Sequence, residues 1–372
     1  MKILYVITGA DIGGAQRHLL YLSEWFKQKG FEVHVVVGEE GPFISELSDR
    51  NIPVSIVPIP RTIKLWKDFK ALCSLTRFIK NGKFNIVHSH SSKAGIIARI
   101  AGFLNKVDKN IFTAHGFVFT DPTLSKKKRL FYLLLERIFS WISTHIITVS
   151  HYDLAQGKEF KISVEKMHVI HNGIPKNAII SYPDWKNKQE MLRNKEKWII
   201  GFVGRFASEK NIDMLLRVAE KFKEQTLDQV EFWMIGDGPL FEKYEAEIKS
   251  RNLQTIIQLK GNQDNVQEWM DHMHAMIITS HKEGLPFVLL EACSRGLPVI
   301  STDVGGVKEV VDPLGTKNIL VPINDDNKMY AHLTALLSNH SYREELGEYF
   351  LNLANLFTVE QMCKETEKVY FS

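Results

Sequence analysis

The stretch AMIITSHKEGLPFVLLEACSRGLPVIST, from Ala275 to Thr302, carries the reading of the fold. AMIITS has the length and apolar character of a buried strand, HKEG is the turn after it, and LPVIST is a second such run. Between them Pro286 suits the first turn of a helix, where its missing N–H would be unpaired anyway. Strand, helix and strand in this order are the repeat of a parallel sheet covered on both faces. Ligands of such sheets sit beyond the carboxyl ends of the strands, which is where Glu283 stands.

The rhythm extends over the whole chain. ILYVIT, FEVHVVVG, FNIVHSH, NIFTAHG and HIITVSH alternate with amphipathic stretches in the first half, and WIIGFVG, VEFWMIGDG, TIIQLKG, AMIITS, LPVIST and NILVPI do so in the second. A chain of 372 residues is too long for one ordinary core, so two α/β domains are expected. Residues 1–175 read as the first and 198–356 as the second, with the polar, Pro183-containing segment 176–197 as linker. The amphipathic end, 357–372, has the pattern of a helix that can return to the first domain. Two sheets whose strand ends face each other would frame an interdomain cleft.

Composition narrows the class. With 44% hydrophobic and 24% charged residues and a net charge of +4, the chain reads as a soluble globular protein and not as a dedicated nucleic-acid binder. Its three cysteines are scattered, which fits reduced thiols and a cytoplasmic setting. The first apolar run is too short for a signal-peptide core, and the apolar region from Arg129 is interrupted by Glu136, Arg137 and His145, so no membrane span is expected.

Glu283 and Glu291 stand eight positions apart, as do Glu24 with Glu32 and Glu32 with Glu40. Context separates the first pair. Eight residues of ideal helix rise about 12 Å, so these carboxylates suit two hydroxyl-bearing groups of an elongated ligand better than one shared proton or metal. The bland alternative is a helix-start charge at Glu283 and a solvated Glu291. In GFVGRFASEKN, Gly204 and Arg205 follow a strand and Lys210 sits where a helix should begin. Two permanent cations there make a diphosphate clamp, or else surface ion pairs with Glu209 and its neighbours. Gly236, in MIGDG, also follows a strand.

GADIGGAQ departs from G-x-G-x-x-G, so a dinucleotide fingerprint fails on spacing, while Gly13 and Gly14 still admit close approach of backbone to a ligand. His115 ends NIFTAH before a glycine and can present its ring to a substrate hydroxyl or carbonyl; His88 and His90 are weaker candidates. No carboxylate or cysteine cluster at ligand spacing joins these histidines and no D-x-D occurs, so no metal site is expected. Finally, Lys126, Lys127, Lys128 and Arg129 lead into Leu130, Phe131, Leu134, Leu135, Ile138 and Ile142 at helical spacing. This is either a core helix with a solvated basic end or a helix that docks shallowly on an anionic bilayer.

Together VGRFASEKN, MIGDGPL, EGLPFVLLE and GLPVISTDVGG, with GGAQ, HSHSSKAG, TAHG and VIHNGI, resemble the retaining glycosyltransferase family four over nearly the whole chain. The resemblance implies the GT-B fold, two facing Rossmann-like domains. It implies that Arg205 and Lys210 bind the donor diphosphate, Glu291 the ribose and Glu283 the transferred sugar. The backbone of Gly284, Leu285, Pro286 and Phe287 would bind sugar hydroxyls and phosphate, Gly14 would approach the diphosphate, and His115 would contact the sugar near the reacting carbon. The implied reaction moves a hexose or N-acetylhexosamine from a nucleotide diphosphate sugar, with UDP-sugars favoured, to a hydroxyl on a lipid-linked glycan, with retention and without a metal or other cofactor. By analogy the setting is cell-surface polysaccharide synthesis, in the cytoplasm or peripherally at the inner face of the plasma membrane. A UDP-sugar 2-epimerase and a non-catalytic membrane-associated nucleotide-binding module are the alternatives.

Overall fold

The computed structural model describes residues 1–225, 229–313, 315, 317 and 319–372. These divide into two compact units. Unit 1 takes Met1–Thr120, Leu124–Gly173 and Val359–Ser372; unit 2 takes Asp121–Thr123 and Ile174–Thr358.

In unit 1 the strands are β1 (Lys2–Ile7), β2 (Glu32–Val37), β3 (Val54–Ile56), β4 (Ile86–His90), β5 (Lys109–Ala114), β6 (His145–Thr148) and β7 (Met167–Val169). Its helices are α1 (Gly14–Gln28), α2 (Pro42–Asp49), α3 (Leu65–Gly82), α4 (Ser92–Leu104), α5 (Lys126–Trp141) and α6 (His151–Glu159). The strands form one parallel sheet in the order β3-β2-β1-β4-β5-β6-β7. Period-two alternation splits its core. Ile3, Tyr5, Ile7, Val33, Val35 and Val37 pack with α1, whereas Leu4, Val6, Val36 and Val87 pack with α3 and α4. Each fully buried Val, Leu, Ile or Phe is worth about 1.5–3 kcal/mol.

Unit 2 contains α7 (Tyr182–Arg193), β8 (Trp198–Val203), α8 (Ile212–Glu224), β9 (Val230–Ile235), α9 (Phe241–Ser250), β10 (Ile257–Gly261), α10 (Val266–Met270) and β11 (Ala275–Ile278). It continues with α11 (Phe287–Ser294), β12 (Val299–Thr302), α12 (Val307–Val311), β13 (Leu320–Val321), α13 (Asp326–Ser338) and α14 (His340–Ala354). Its sheet is again parallel, in the order β10-β9-β8-β11-β12-β13. In both sheets the order reverses direction beside the first strand, between β1 and β4 and between β8 and β11. Those switch points are where an open parallel sheet binds its ligand.

The segment 176–197, read as a linker, is instead largely helix α7, part of unit 2. Ser181 caps it through Asp184 N–H, Pro183 lies in its first turn, and Trp185 is fully buried with its indole N–H donated to Gly296 O at 3.3 Å. Lys188 is tied down beside it, donating to Arg295 O at 2.7 Å. The polar composition concealed a helix whose apolar face is narrow. The last helix, α15 (Val359–Phe371), belongs to unit 1: Tyr370 stacks on Phe26 with ring centroids 4.7 Å apart, and Lys29 pairs with Glu367 at 2.5 Å.

Candidate functional site

In unit 2 the loops leaving β8 and β11, paired strands at the switch point, meet. Lys210 Nζ lies 2.7 Å from Glu283 Oε1, and Ser280 Oγ donates to the same oxygen at 2.6 Å. Both members of the ion pair are mostly shielded from solvent, at 18% and 10% exposure. Two further hydrogen bonds lock the loops together: the Thr279 hydroxyl Oγ1 donates to Lys210 O at 2.8 Å and His281 N–H to Glu209 O at 2.8 Å. Glu283 is therefore no solvent-facing helix cap; it is anchored across two loops.

Two local expectations are corrected. Lys210 does not open a helix: it ends a single 3₁₀ turn, Ser208–Lys210, and α8 starts only after Asn211 at φ 49°. Pro286 is the N-cap of α11 and not its first helical residue, which is Phe287. Glu291 lies inside α11, half-buried. Leu285 and Phe287 bury their side chains, so a ligand at this helix start would meet the backbone of Gly284 to Phe287. Arg205 is 56% exposed and paired with Glu209 at 2.9 Å, the surface pairing set out as the alternative to a clamp. Because Glu209 precedes Lys210, the two ion pairs adjoin, and Arg205, itself exposed, can leave its half-buried partner at little cost.

Glycines explain how these loops fit. Gly305 has φ +55°, and a Cβ there would fall 1.9 Å from Glu283 O; its neighbour Gly306 donates to Gly284 O at 2.7 Å. Gly236 has φ +129°, and its Cβ would meet Gly204 O at 2.1 Å. Gly204 itself leaves room, with Lys210 Cε at 3.6 Å from a Cβ. Ser280, which bonds to Glu283, is a support that the sequence motifs did not single out; the polar end of AMIITS was the available signal.

In unit 1 Gly13 is the N-cap of α1 at φ −159°, an extended angle open to any residue, and Gly14 is the first helical residue. Dihedral geometry thus gives no reason for glycine at position 13. The loop before it is pinned by Arg61, which bridges Asp11 and Glu39, a clasp not foreseen from the sequence. His115 is half-buried in a group of histidines. Its Nε2 is 3.1 Å from His90 Nδ1, the two rings stack, and His18 meets it edge-on at 4.9 Å. Fully buried His88 bonds to Tyr370 and Thr113, each at 2.6 Å, a structural role. His18 donates through Nδ1 to Asn172 at 2.9 Å, and burial lowers its pKa to about 4. Burial, and then mutual repulsion, also holds His88, His90 and His115 well below the usual imidazole range.

Helix α5 buries one face and leaves most of the apolar residues of its pattern outside the core. Leu133, Glu136 and Ser140 face inward, while Leu130, Phe131, Leu134, Ile138 and Trp141 are exposed. Lys126, Lys127 and Lys128 are exposed at its entrance; Arg129 is not part of that free group, since its Nε donates to Phe119 O at 2.8 Å.

Two family descriptions match the chain: "Glycosyltransferase Family 4" over residues 12–177 and "Glycosyl transferases group 1" over 183–351. A UDP-Gal:alpha-D-GlcNAc-diphosphoundecaprenol alpha-1,3-galactosyltransferase of Escherichia coli is 31% identical over 336 residues, 87% of this chain and 85% of that protein. The capsular polysaccharide biosynthesis glycosyltransferase CapM of Staphylococcus aureus is 24% identical, with 93% and 91% covered. Among solved structures, Anabaena HepE in complex with UDP and glucose superposes with TM-score 0.83 at 18% identity, covering all of both chains. The chain belongs to glycosyltransferase family 4, and it is a glycosyltransferase of the GT-B fold. This membership does not favour the epimerase or the non-catalytic module.

Proposed function

We propose that this glycosyltransferase moves a hexose or N-acetylhexosamine from a UDP-sugar to a hydroxyl of a lipid-linked glycan, with retention of anomeric configuration and without a metal, in cell-surface polysaccharide synthesis. The observation that carries the reading is the Lys210–Glu283 pair at 2.7 Å, held at the switch point of the unit 2 sheet. A UDP donor and a lipid-linked acceptor are supported by the activity for which the Escherichia coli relative is named. Lys210, with Arg205 released from Glu209, would stabilise charge on the departing diphosphate, taking the part that a divalent cation plays in metal-dependent transferases. Glu283 would hold the sugar and Glu291 the ribose; the sugar and diphosphate contacts that the family resemblance gives His115 and Gly14, and a close backbone approach at Gly13, belong to the same proposal.

In the step itself the C1–O bond to the diphosphate breaks and a C1–O bond to the acceptor forms on the same face. The acceptor proton passes to the leaving phosphate oxygen. A preorganised cation of this kind is worth about 10²–10³ in turnover, so Lys210→Ala should lower donor turnover by about that factor while the protein still melts near the wild-type temperature. Turnover unchanged in a folded Lys210→Ala protein would remove the reading. Stereochemistry is read by NMR of the product, and metal independence by assay in EDTA.

A further inference from the structure

Eleven of the twenty exposed large hydrophobic residues found among those described lie on α3, α4, α5 or the residue pair leading into α3: Ile63, Leu65, Trp66, Phe69, Phe103, Leu104, Leu130, Phe131, Leu134, Ile138 and Trp141. Their concentration is not a general property of the surface, because the other nine are spread over the rest of both units. The topology explains it. β3 to β4, β4 to β5 and β5 to β6 all advance in one direction along the sheet, so right-handed crossovers put α3, α4 and α5 side by side on one face. On α5 the stripe Lys127, Leu130, Leu134, Ile138, Trp141 follows helical spacing and points outward, opposite buried Leu133, Glu136 and Ser140. On α3, Trp66 and Phe69 point outward, stacked on each other, opposite buried Ala71, Leu75 and Ile79.

Charge selects the occupant. Exposed lysines 64, 67, 70, 126, 127 and 128 interleave with the apolar side chains. The three helices carry only two carboxylates, Asp68 and Glu136, and both are already neutralised, by Lys93 at 2.5 Å and by Arg99 at 3.0 Å. A face that is apolar, basic and stripped of free acid, with Trp66 and Trp141 at 69% and 81% exposure, matches the boundary between headgroups and acyl chains of an anionic membrane. Another copy of the same face would be repelled by its like charge.

We propose that the outer face of α3, α4 and α5 is a docking surface for an anionic phospholipid bilayer, with the α3 end and the α5 stripe as its two contact points. This deepens the lipid-linked acceptor reading. Both α3 and α5 begin at the carboxyl edge of the sheet, the edge that carries Gly13, Gly14 and His115, so a bilayer on this face places a lipid-borne acceptor beside that edge.

The test is cosedimentation of the full chain with phosphatidylglycerol vesicles and with phosphatidylcholine vesicles. Wild type should partition onto the former about tenfold or more in excess of the latter and be released by salt. Trp66→Ala/Phe69→Ala and Leu134→Ser/Ile138→Ser, all at exposed positions and checked by melting temperature, should each lower partitioning about tenfold. Lys210→Ala should bind vesicles as wild type does while losing donor turnover, which separates failure of this proposal from failure of the donor reading. Absence of wild-type binding to phosphatidylglycerol, or undiminished binding of the α3 double variant, overturns it. So does concentration-dependent dimerisation abolished by the same variants without vesicle binding, which would assign the face to a second copy.

Discussion

At the residue scale, Glu283 gains meaning from what holds it. Its spacing to Glu291 recurs twice elsewhere in the chain and says nothing alone, but Glu24 is spent in a pair with Arg50 and Glu32 in one with Lys2. Glu283 instead accepts from Lys210 and Ser280 and has its backbone pressed against Gly305. Gly305→Ala, which sets a side chain at φ +55° and a carbon 1.9 Å from Glu283 O, should cost about 2–4 kcal/mol in denaturant unfolding and weaken nucleotide binding in titration calorimetry. The histidines make a separate prediction. His18 has a pKa of about 4 when folded against 6.5 as a free imidazole, so below pH 6.5 the unfolded chain takes up the proton first. Its neutral form contributes stability that is complete above pH 6.5 and is lost as pH falls toward 4, about 3 kcal/mol for this residue. Melting scans from pH 7 to pH 4.5 should show that decline, and it should be reduced in His18→Gln. The loops that carry Arg205, Lys210, Glu283 and His115 were legible because they follow apolar runs; the Arg61 clasp was not, because Asp11 and Glu39 are distant from Arg61 in sequence and supply no local pattern.

At the element scale, strands were readable and one helix was not. Parallel strands are buried on both faces, so they appear as short apolar runs wherever they occur, and β8, β9 and β11 stand out on this ground alone. Helix α7 is hidden because most of its residues are polar and its burial rests chiefly on Trp185, with Lys188, Gln189 and Leu192. The start signal was nevertheless present in Ser181, Pro183 and Asp184. Ser181→Ala should cost about 1 kcal/mol and Trp185→Ala about 3–5 kcal/mol in equilibrium unfolding, since Gly296 and Gly347 are shaped around the indole. In α5 the pattern located the helix but left its apolar side unassigned, because periodicity marks a face without saying what covers it.

At the scale of the whole molecule, the two sheets repeat one plan, with the order 3-2-1-4-5-6 extended by β7 in unit 1 and repeated in unit 2. The repetition sets Gly13 and Gly14, after β1, in the place that Lys210 takes after β8, whereas Glu283 follows β11, the counterpart of β4, and His115 follows the next strand, β5. The central claim is that the Lys210–Glu283 pair is donor machinery and not a structural ion pair. The most direct measurement is turnover of a panel of nucleotide diphosphate sugars by wild type, Lys210→Ala and Glu283→Gln, with melting temperatures taken alongside. The predicted result is wild-type turnover of a UDP-sugar and a fall of about 10²-fold or more in both variants at nearly unchanged stability. Variants that melt early yet turn over donor at the wild-type rate would contradict the account and leave the pair as a brace between two loops.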